Sequence, residues 1–306
     1  NFKKIGLTAL AGSLVAFSVN AGEMSVTGSA GMTLSQADET AAAGFAQSDS
    51  LTFTGSGETD SGLNIAVSFE IDGDNNGFDD RSFSVGNDSI GTFAFHGSGG
   101  SSVMGGWDDL TPNAYEEVWD LTAEADDAVI DGASGDMLLR YDSPSFSGVV
   151  VSASYQDSAT IGTYSDYGIN IQPEAVDGLE LAYAHGTIED SASTEADHST
   201  MYAKYAYGPV TVGYQTSDQD KTAANTDVSS VTYGISYAVS DNMSVAYHQA
   251  TVDTEADTDD QEATGISVSY TMGSMTLAGA MNSVDNVGFD SADDREGYEF
   301  GLTFAF

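Results

Sequence analysis

Tyr298-Glu299-Phe300-Gly301-Leu302-Thr303-Phe304-Ala305-Phe306 is the stretch on which the fold turns. Tyr298, Phe300, Leu302, Phe304 and Phe306 share one parity; Glu299, Gly301, Thr303 and Ala305 share the other. Successive side chains of a strand point to opposite faces, so this segment carries one apolar wall and one small or polar wall. Left open, an apolar terminal strand invites edge pairing and aggregation. Closed against the first strand, with lipid on its aromatic side, it has no free edge. The expectation is a transmembrane β-barrel.

The same alternation recurs in sixteen runs between residues 23 and 306. Leu63, Ile65, Val67, Phe69 and Ile71 oppose Asn64, Ala66, Ser68 and Glu70; Val231, Tyr233, Ile235 and Tyr237 oppose Thr232, Gly234 and Ser236. A soluble sandwich could absorb such faces, but the connections argue against it. Short breaks such as Gly208-Pro209 and Ser240-Asp241-Asn242 largely alternate with long ones at 37–48, 188–198, 217–227, 253–262 and 283–297. Short turns on one side and long loops on the other are the outer-membrane pattern. Tyrosines such as Tyr155, Tyr183, Tyr205, Tyr237 and Tyr270 cluster towards the ends of apolar faces, as interfacial girdles require.

Composition narrows the partners. Seven basic residues face 48 acidic ones, for a net charge of −41. Nucleic acid is a poor partner for a chain with so little positive surface, and cations are natural ones. With no cysteine, disulfides and thiolate zinc sites are excluded. At the amino end Lys3 and Lys4 precede a mostly apolar or small stretch, 5–19, and then Val19-Asn20-Ala21. This predicts a signal peptide over 1–21 and a barrel over 22–306. The apolar stretch of about 15 residues is short of the ~20 that a spanning helix needs.

One connection, 97–136, is far longer than the rest, and loops longer than about 15 residues are usually functional. Trp107-Asp108-Asp109-Leu110-Thr111-Pro112-Asn113-Ala114-Tyr115-Glu116-Glu117-Val118-Trp119 gives it apolar anchors to pack against a wall, with a short helix predicted around 114–121.

Leu139-Arg140-Tyr141-Asp142-Ser143-Pro144-Ser145-Phe146-Ser147-Gly148, leading into 149–155, resembles the strand, tight turn and strand of the Gram-negative general diffusion porins. Ser61-Gly62-Leu63, the run 81–86 followed by Ile90-Gly91-Thr92-Phe93, and the final Phe306 support the likeness. The resemblance covers the chain from residue 22 onward in short pieces. It implies an all-β, 16-stranded antiparallel transmembrane barrel, a homotrimer in the outer membrane, and a long third loop folded inward to narrow the pore. Arginines on the wall of such relatives face that acidic loop. Here Ser50 stands where one would be expected, and strand five ends Phe95-His96-Gly97 without a basic residue.

By parity Arg140 lies opposite Leu139 and Tyr141, and Lys204 opposite Ala203 and Tyr205; both should face water, since a lipid-facing Arg at midplane costs about 2–4 kcal/mol. Arg81 shares parity with Phe83 and Val85 and is placed at the outer rim. The pore constriction is expected to comprise Arg140 and Lys204 against Asp108, Asp109, Glu116, Glu117 and Asp120, with Glu124 nearby. Acidic rings favour cations, so the expected function is passive, cation-preferring diffusion of ions and small hydrophilic solutes. Alternatives are a substrate-selective channel, or an acidic calcium-binding secreted β-sandwich adhesin.

Asp72-Gly73-Asp74-Asn75-Asn76-Gly77 matches the opening of an EF-hand loop, but position twelve is Phe83 and no helices flank it. What remains is a partial calcium site at Asp72, Asp74 and Asn76, with Asp79 or Asp80. No cofactor is otherwise implied. His96, His185, His198 and His248 lie on separate strands or loops without a spaced carboxylate pair, so no enzyme is expected; His96 and His248 have the parity of polar wall residues.

Overall fold

A computed structural model describes residues 22–38, 41–73, 78–122, 132–135, 137–158, 162–189, 195–223 and 226–306. The expected signal segment, Asp74 and Asn76 of the calcium motif, and Glu124 lie outside the described residues.

Among the described residues eighteen strands run in chain order. They are β1 (Glu23–Gln36), β2 (Gly44–Glu58), β3 (Asn64–Asp72), β4 (Arg81–Asn87), β5 (Gly91–Ser98), β6 (Gly100–Ser101), β7 (Ser134–Gly135), β8 (Leu138–Asp142) and β9 (Val149–Ser158). Then follow β10 (Gly162–Ile171), β11 (Leu179–Glu189), β12 (Glu195–Tyr207), β13 (Val210–Lys221), β14 (Val228–Ser240), β15 (Met243–Thr254), β16 (Gln261–Met272), β17 (Met275–Asp285) and β18 (Arg295–Ala305). β6 and β7 form a separate two-stranded ribbon; the other sixteen close into one antiparallel barrel.

The opening nonapeptide seals it. β18 pairs with β1 from Ser29↔Ala305 to Gln36↔Tyr298, and Gly28 and Phe306 exchange N–H···O bonds of 2.8 and 2.9 Å. Closure leaves no edge, the condition for strands to live in lipid. Parity then divides the wall. On β16, Ile266, Val268, Tyr270 and Met272 are exposed, while Ala263 and Ser267 are buried.

Short turns sit on one rim, among them Gly208-Pro209, Asp241-Asn242 and Gly273-Ser274. In the turn after β8, Ser147 (φ 50) and Gly148 (φ 80) both have positive φ, and Phe146 and Val149 exchange N–H···O bonds of 2.9 and 3.0 Å. Two consecutive positive φ values mark a type I′ turn, whose twist suits the flanking strands and which Gly148 accommodates.

The opposite loops are shorter than the sequence suggested, because the strands continue into them. β12 begins at Glu195 and β13 runs to Lys221, so polar segments pair with one another above the apolar band. The wall is uneven: β4, β5 and β8 hold 7, 8 and 5 residues, against 10 or more in every strand from β9 onward.

An arginine at Val268 on the apolar face is expected to destabilise the barrel by about 2–4 kcal/mol if that residue lies near the hydrocarbon midplane. Ser236→Arg on the polar face should be tolerated. Refolding yield and heat-dependent gel migration in detergent read both.

Candidate functional site

The longest connection leaves β5 at Ser98 and returns at Leu138, its root closed by the β6–β7 ribbon. Its described part lies along the polar face of the wall. Buried backbone donors and acceptors need partners, and here wall side chains supply them. Val103 N–H donates to Ser154 Oγ (2.9 Å), Met104 N–H to Asp166 Oδ2 (2.8 Å) and Leu110 N–H to Gln215 Oε1 (2.9 Å). Further along, Ala114 N–H donates to Ser267 Oγ (3.0 Å), the Tyr115 hydroxyl to Glu299 Oε1 (2.5 Å), and Asn282 Nδ2 to the Val118 carbonyl (2.5 Å).

The expected helix does not form. Residues 114–117 are bends and irregular chain, 118–121 form a turn, and among the described residues the one helical element is the 3₁₀ turn Val287–Phe289. The Ala114 N–H and the Val118 carbonyl, which a helix over 114–121 would itself leave without internal partners, are taken by Ser267 and Asn282.

Apolar anchors complete the seat. Val118 and Trp119 pack with Ala250, Val252, Ala263, Val284 and Val287, while Val103, Met104 and Trp107 pack on Ala184. Where the loop runs closest the wall is glycine. Gly213 and Gly234 pair directly across β13 and β14. A Cβ at Gly213 would stand 2.4 Å from Pro112 Cδ, and one at Gly234 2.4 Å from the Pro112 carbonyl oxygen.

The two expected wall bases face the polar side, but each is paired there. Arg140 Nη2 binds Asp142 Oδ1 at 3.1 Å, and its Nη1 donates to the carbonyls of Ser101 (3.2 Å) and Ser102 (3.0 Å). Lys204 Nζ meets Glu180 Oε2 at 3.1 Å, and Glu180 also accepts from Tyr202 (2.6 Å) and Asn170 (2.9 Å). Instead of facing the loop's acids across a gap, Arg140 holds the root of the loop. Arg81 is exposed at an irregularity in the β4–β5 register, donating to Ser98 Oγ and the Gly97 carbonyl.

The loop's acids divide by environment. Asp108 is exposed. The Asp109 side chain is buried, accepts from Thr111 N–H (2.9 Å) and Thr111 Oγ1 (2.7 Å), and has Oδ2 3.8 Å from His248 Nε2. Burial, opposed by the Thr111 bonds and reinforced by Glu117 and Asp108, raises its pKa from 3.8 to about 6. Thr111 Oγ1 lies 2.5 Å from His248 Nε2, so the imidazole sits beneath the loop, against Trp119. Burial first, then Glu299 and Glu117, raises the pKa of Glu116. Glu116, Glu117 and Asp120 each offer a carboxylate oxygen within 4.8 Å of the others, close enough to share a cation. At the expected calcium motif Asp72 ends β3, and Asp80 is turned towards Gly99, where any side chain would strike its carboxylate.

The wall is a closed sixteen-stranded sheet, apolar on one face and lined by a long anchored loop on the other. Residues 6–260 match the family model described as Gram-negative porin. The chain belongs to the Gram-negative porin family. Among solved structures it is similar to an anion-selective porin from Comamonas acidovorans (15% identity, TM-score 0.71), over 93% of this chain and all of that one. It is also similar to OmpT of Vibrio cholerae (12%, TM-score 0.72, 95% of this chain and all of that one) and to that protein's in-vitro folded trimer form (11%, TM-score 0.72, 94% of this chain and all of that one). No curated protein matches the chain. The porin is a channel of the outer membrane, its apolar face turned to lipid.

The sequence did not single out Gln215, Asn282, Gly213 or Gly234, which hold the loop. Gln215 and Asn282 read as ordinary polar wall residues, and the glycines as small ones. Aligning β13 and β14 would have shown two glycines side by side on the polar face, a gap that something must fill.

Gly213→Val should lower the porin's stability by about 1–3 kcal/mol through overpacking. Pro112→Ala, which removes the colliding ring carbons, should restore part of the loss; thermal melting of the single and double variants reads this. Asp109 gives a pH test. Its raised pKa means that the native state keeps a proton the unfolded chain has lost, so stability falls as pH rises from about 4 to about 6. Asp109→Asn lifts that penalty while keeping an acceptor for Thr111. Relative to the parent, the variant should melt higher at pH 7.5 than at pH 4, by at most about 3 kcal/mol.

Proposed function

We propose that this porin is a passive diffusion channel for ions and small hydrophilic solutes, that it prefers cations, and that it works as a homotrimer. The observation that carries the ion preference is the state of its bases. Arg140 and Lys204 each lie against a wall carboxylate, leaving the clustered acids Glu116, Glu117 and Asp120 to set the local sign. Fixed acids between low-dielectric walls concentrate cations. The Comamonas relative is anion-selective, but at 15% identity the likeness speaks for the fold, and selectivity follows from each chain's own charges.

The loop narrows the lumen in this reading. Met104 bonds β10 and Tyr115 bonds β18. Eleven residues reach at most about 40 Å. Eight strand steps of about 4.8 Å, widened by a tilt of about 40°, make an arc of roughly 50 Å at the wall and more outside it. Bonded on the way to β13 through Leu110 and to β16 through Ala114, a segment of that length follows the shorter arc inside the wall and takes up room in the lumen. Assembly is supported by the low sector. Strands of 7, 8 and 5 residues fall below the about 9–11 needed to cross the hydrocarbon, and a neighbouring subunit against β4, β5 and β8 would cover that deficit. A trimer form is recorded for the Vibrio relative.

Zero-current potential across a KCl gradient tests the preference. The dilute side should be positive, and the potential should shrink when Glu116→Gln, Glu117→Gln and Asp120→Asn are combined. It should also shrink as salt rises towards 1 M, where the Debye length falls to about 3 Å. A dilute side at zero or negative potential would rule the preference out.

A further inference from the structure

We infer that Gln215 and Asn282 are the positioning residues of the pore, two uncharged staples that fix both ends of its acid-bearing segment. The inference rests on the channel reading above.

Gln215, on β13, is 1% exposed. Its Nε2 donates to the carbonyls of Trp107 (2.7 Å) and Asp108 (3.2 Å), and its Oε1 accepts from Leu110 N–H (2.9 Å). Nε2 also reaches Thr200 Oγ1 (3.0 Å), itself 2.8 Å from Ser217 Oγ, so the wall holds the carboxamide in orientation. A flipped amide would set its oxygen against two carbonyls, so donors and acceptor match the loop in one sense only. Asn282, on β17, does the same at the far end. Its Nδ2 donates to the Val118 carbonyl (2.5 Å) and Thr122 Oγ1 (3.0 Å), while Oδ1 accepts from Gly297 N–H (3.0 Å), tying the loop to β18 as well. Asp108, Glu116, Glu117 and Asp120 all lie between the residues so held.

Neither staple carries charge. Salt does not screen it and pH does not titrate it, whereas the field of the acids responds to both. At these two points the array keeps its place while its potential varies with the medium, unlike at the carboxylate acceptors Asp166 and Glu299 that hold Met104 and Tyr115. A loop held by ion pairs would shift with the same variables that change its field.

Single-channel recording in KCl across planar bilayers tests this. Gln215→Met keeps similar bulk and loses every bond. Gln215→Glu keeps the shape but turns an oxygen towards two carbonyls. Both should replace one steady open level with several levels and excess open-channel noise, and should shift the cation-to-anion permeability ratio as Asp108 leaves its place. Asn282→Leu should do likewise from the other end. Thr232→Val serves as the control, being equally buried and directly opposite Gln215 on β14 but without a bond to the loop. It should leave the trace unchanged. Heat-dependent migration confirms that each barrel has folded; should the Met variant fail to fold, the Glu variant stands in for it. A single quiet level with the parent's permeability ratio in the Gln215 and Asn282 variants would overturn the inference. A parent that conducts nothing would overturn the channel reading instead.

Discussion

The hydrogen-bonded seam between β1 and β18 is the constraint from which the rest follows. In a hydrocarbon medium no water is at hand for a strand's N–H and C=O groups, so a sheet survives there only by pairing all of them. Eight residue pairs from Ser29↔Ala305 to Gln36↔Tyr298, with the Gly28–Phe306 exchange below them, complete that pairing. Once the cylinder is shut, each residue belongs to one face or the other. One-residue slippage would exchange the two along a whole strand. The severe alternation of residues such as Ile266, Val268 and Tyr270 against Gly265, Ser267 and Ser269 is the sequence's record of that demand.

On the other face different rules hold. Polar groups there answer to the loop, and the wall is carved for it: alanine and glycine where the loop presses, serine, glutamine and asparagine where its backbone needs partners. Charge has a smaller mechanical part than the count of acids suggests. Arg140 steadies the root through two carbonyls, and Lys204 answers Glu180; between them the attachments are chiefly neutral. Burial of Asp109 is the exception, and it is tolerated because Thr111 gives the carboxylate two donors.

What was legible in the sequence follows this division. Strand positions and faces were readable because lipid permits few residue types. Arg140 and Lys204 were placed on the polar face by parity alone. Their partners were harder to see, although Asp142 lies two residues from Arg140 on the same face of β8, the spacing at which strand side chains meet. The helix expected at 114–121 fails because propensity within a loop is decided by what the loop touches, and Glu299 and Ala250, against which Tyr115 and Trp119 are held, are more than 130 residues away in the chain. The seat at Gly213 and Gly234 was hidden for the same reason: a missing side chain signals only that something comes close.

The bond between Tyr115 and Glu299 ties together two distant moments in the life of the chain. Tyr115 is made before more than half of the barrel exists, while its acceptor stands on β18, the final stave. That contact waits until β18 has taken its place in the wall. One fastening of the insert is therefore reserved for a wall that already includes β18.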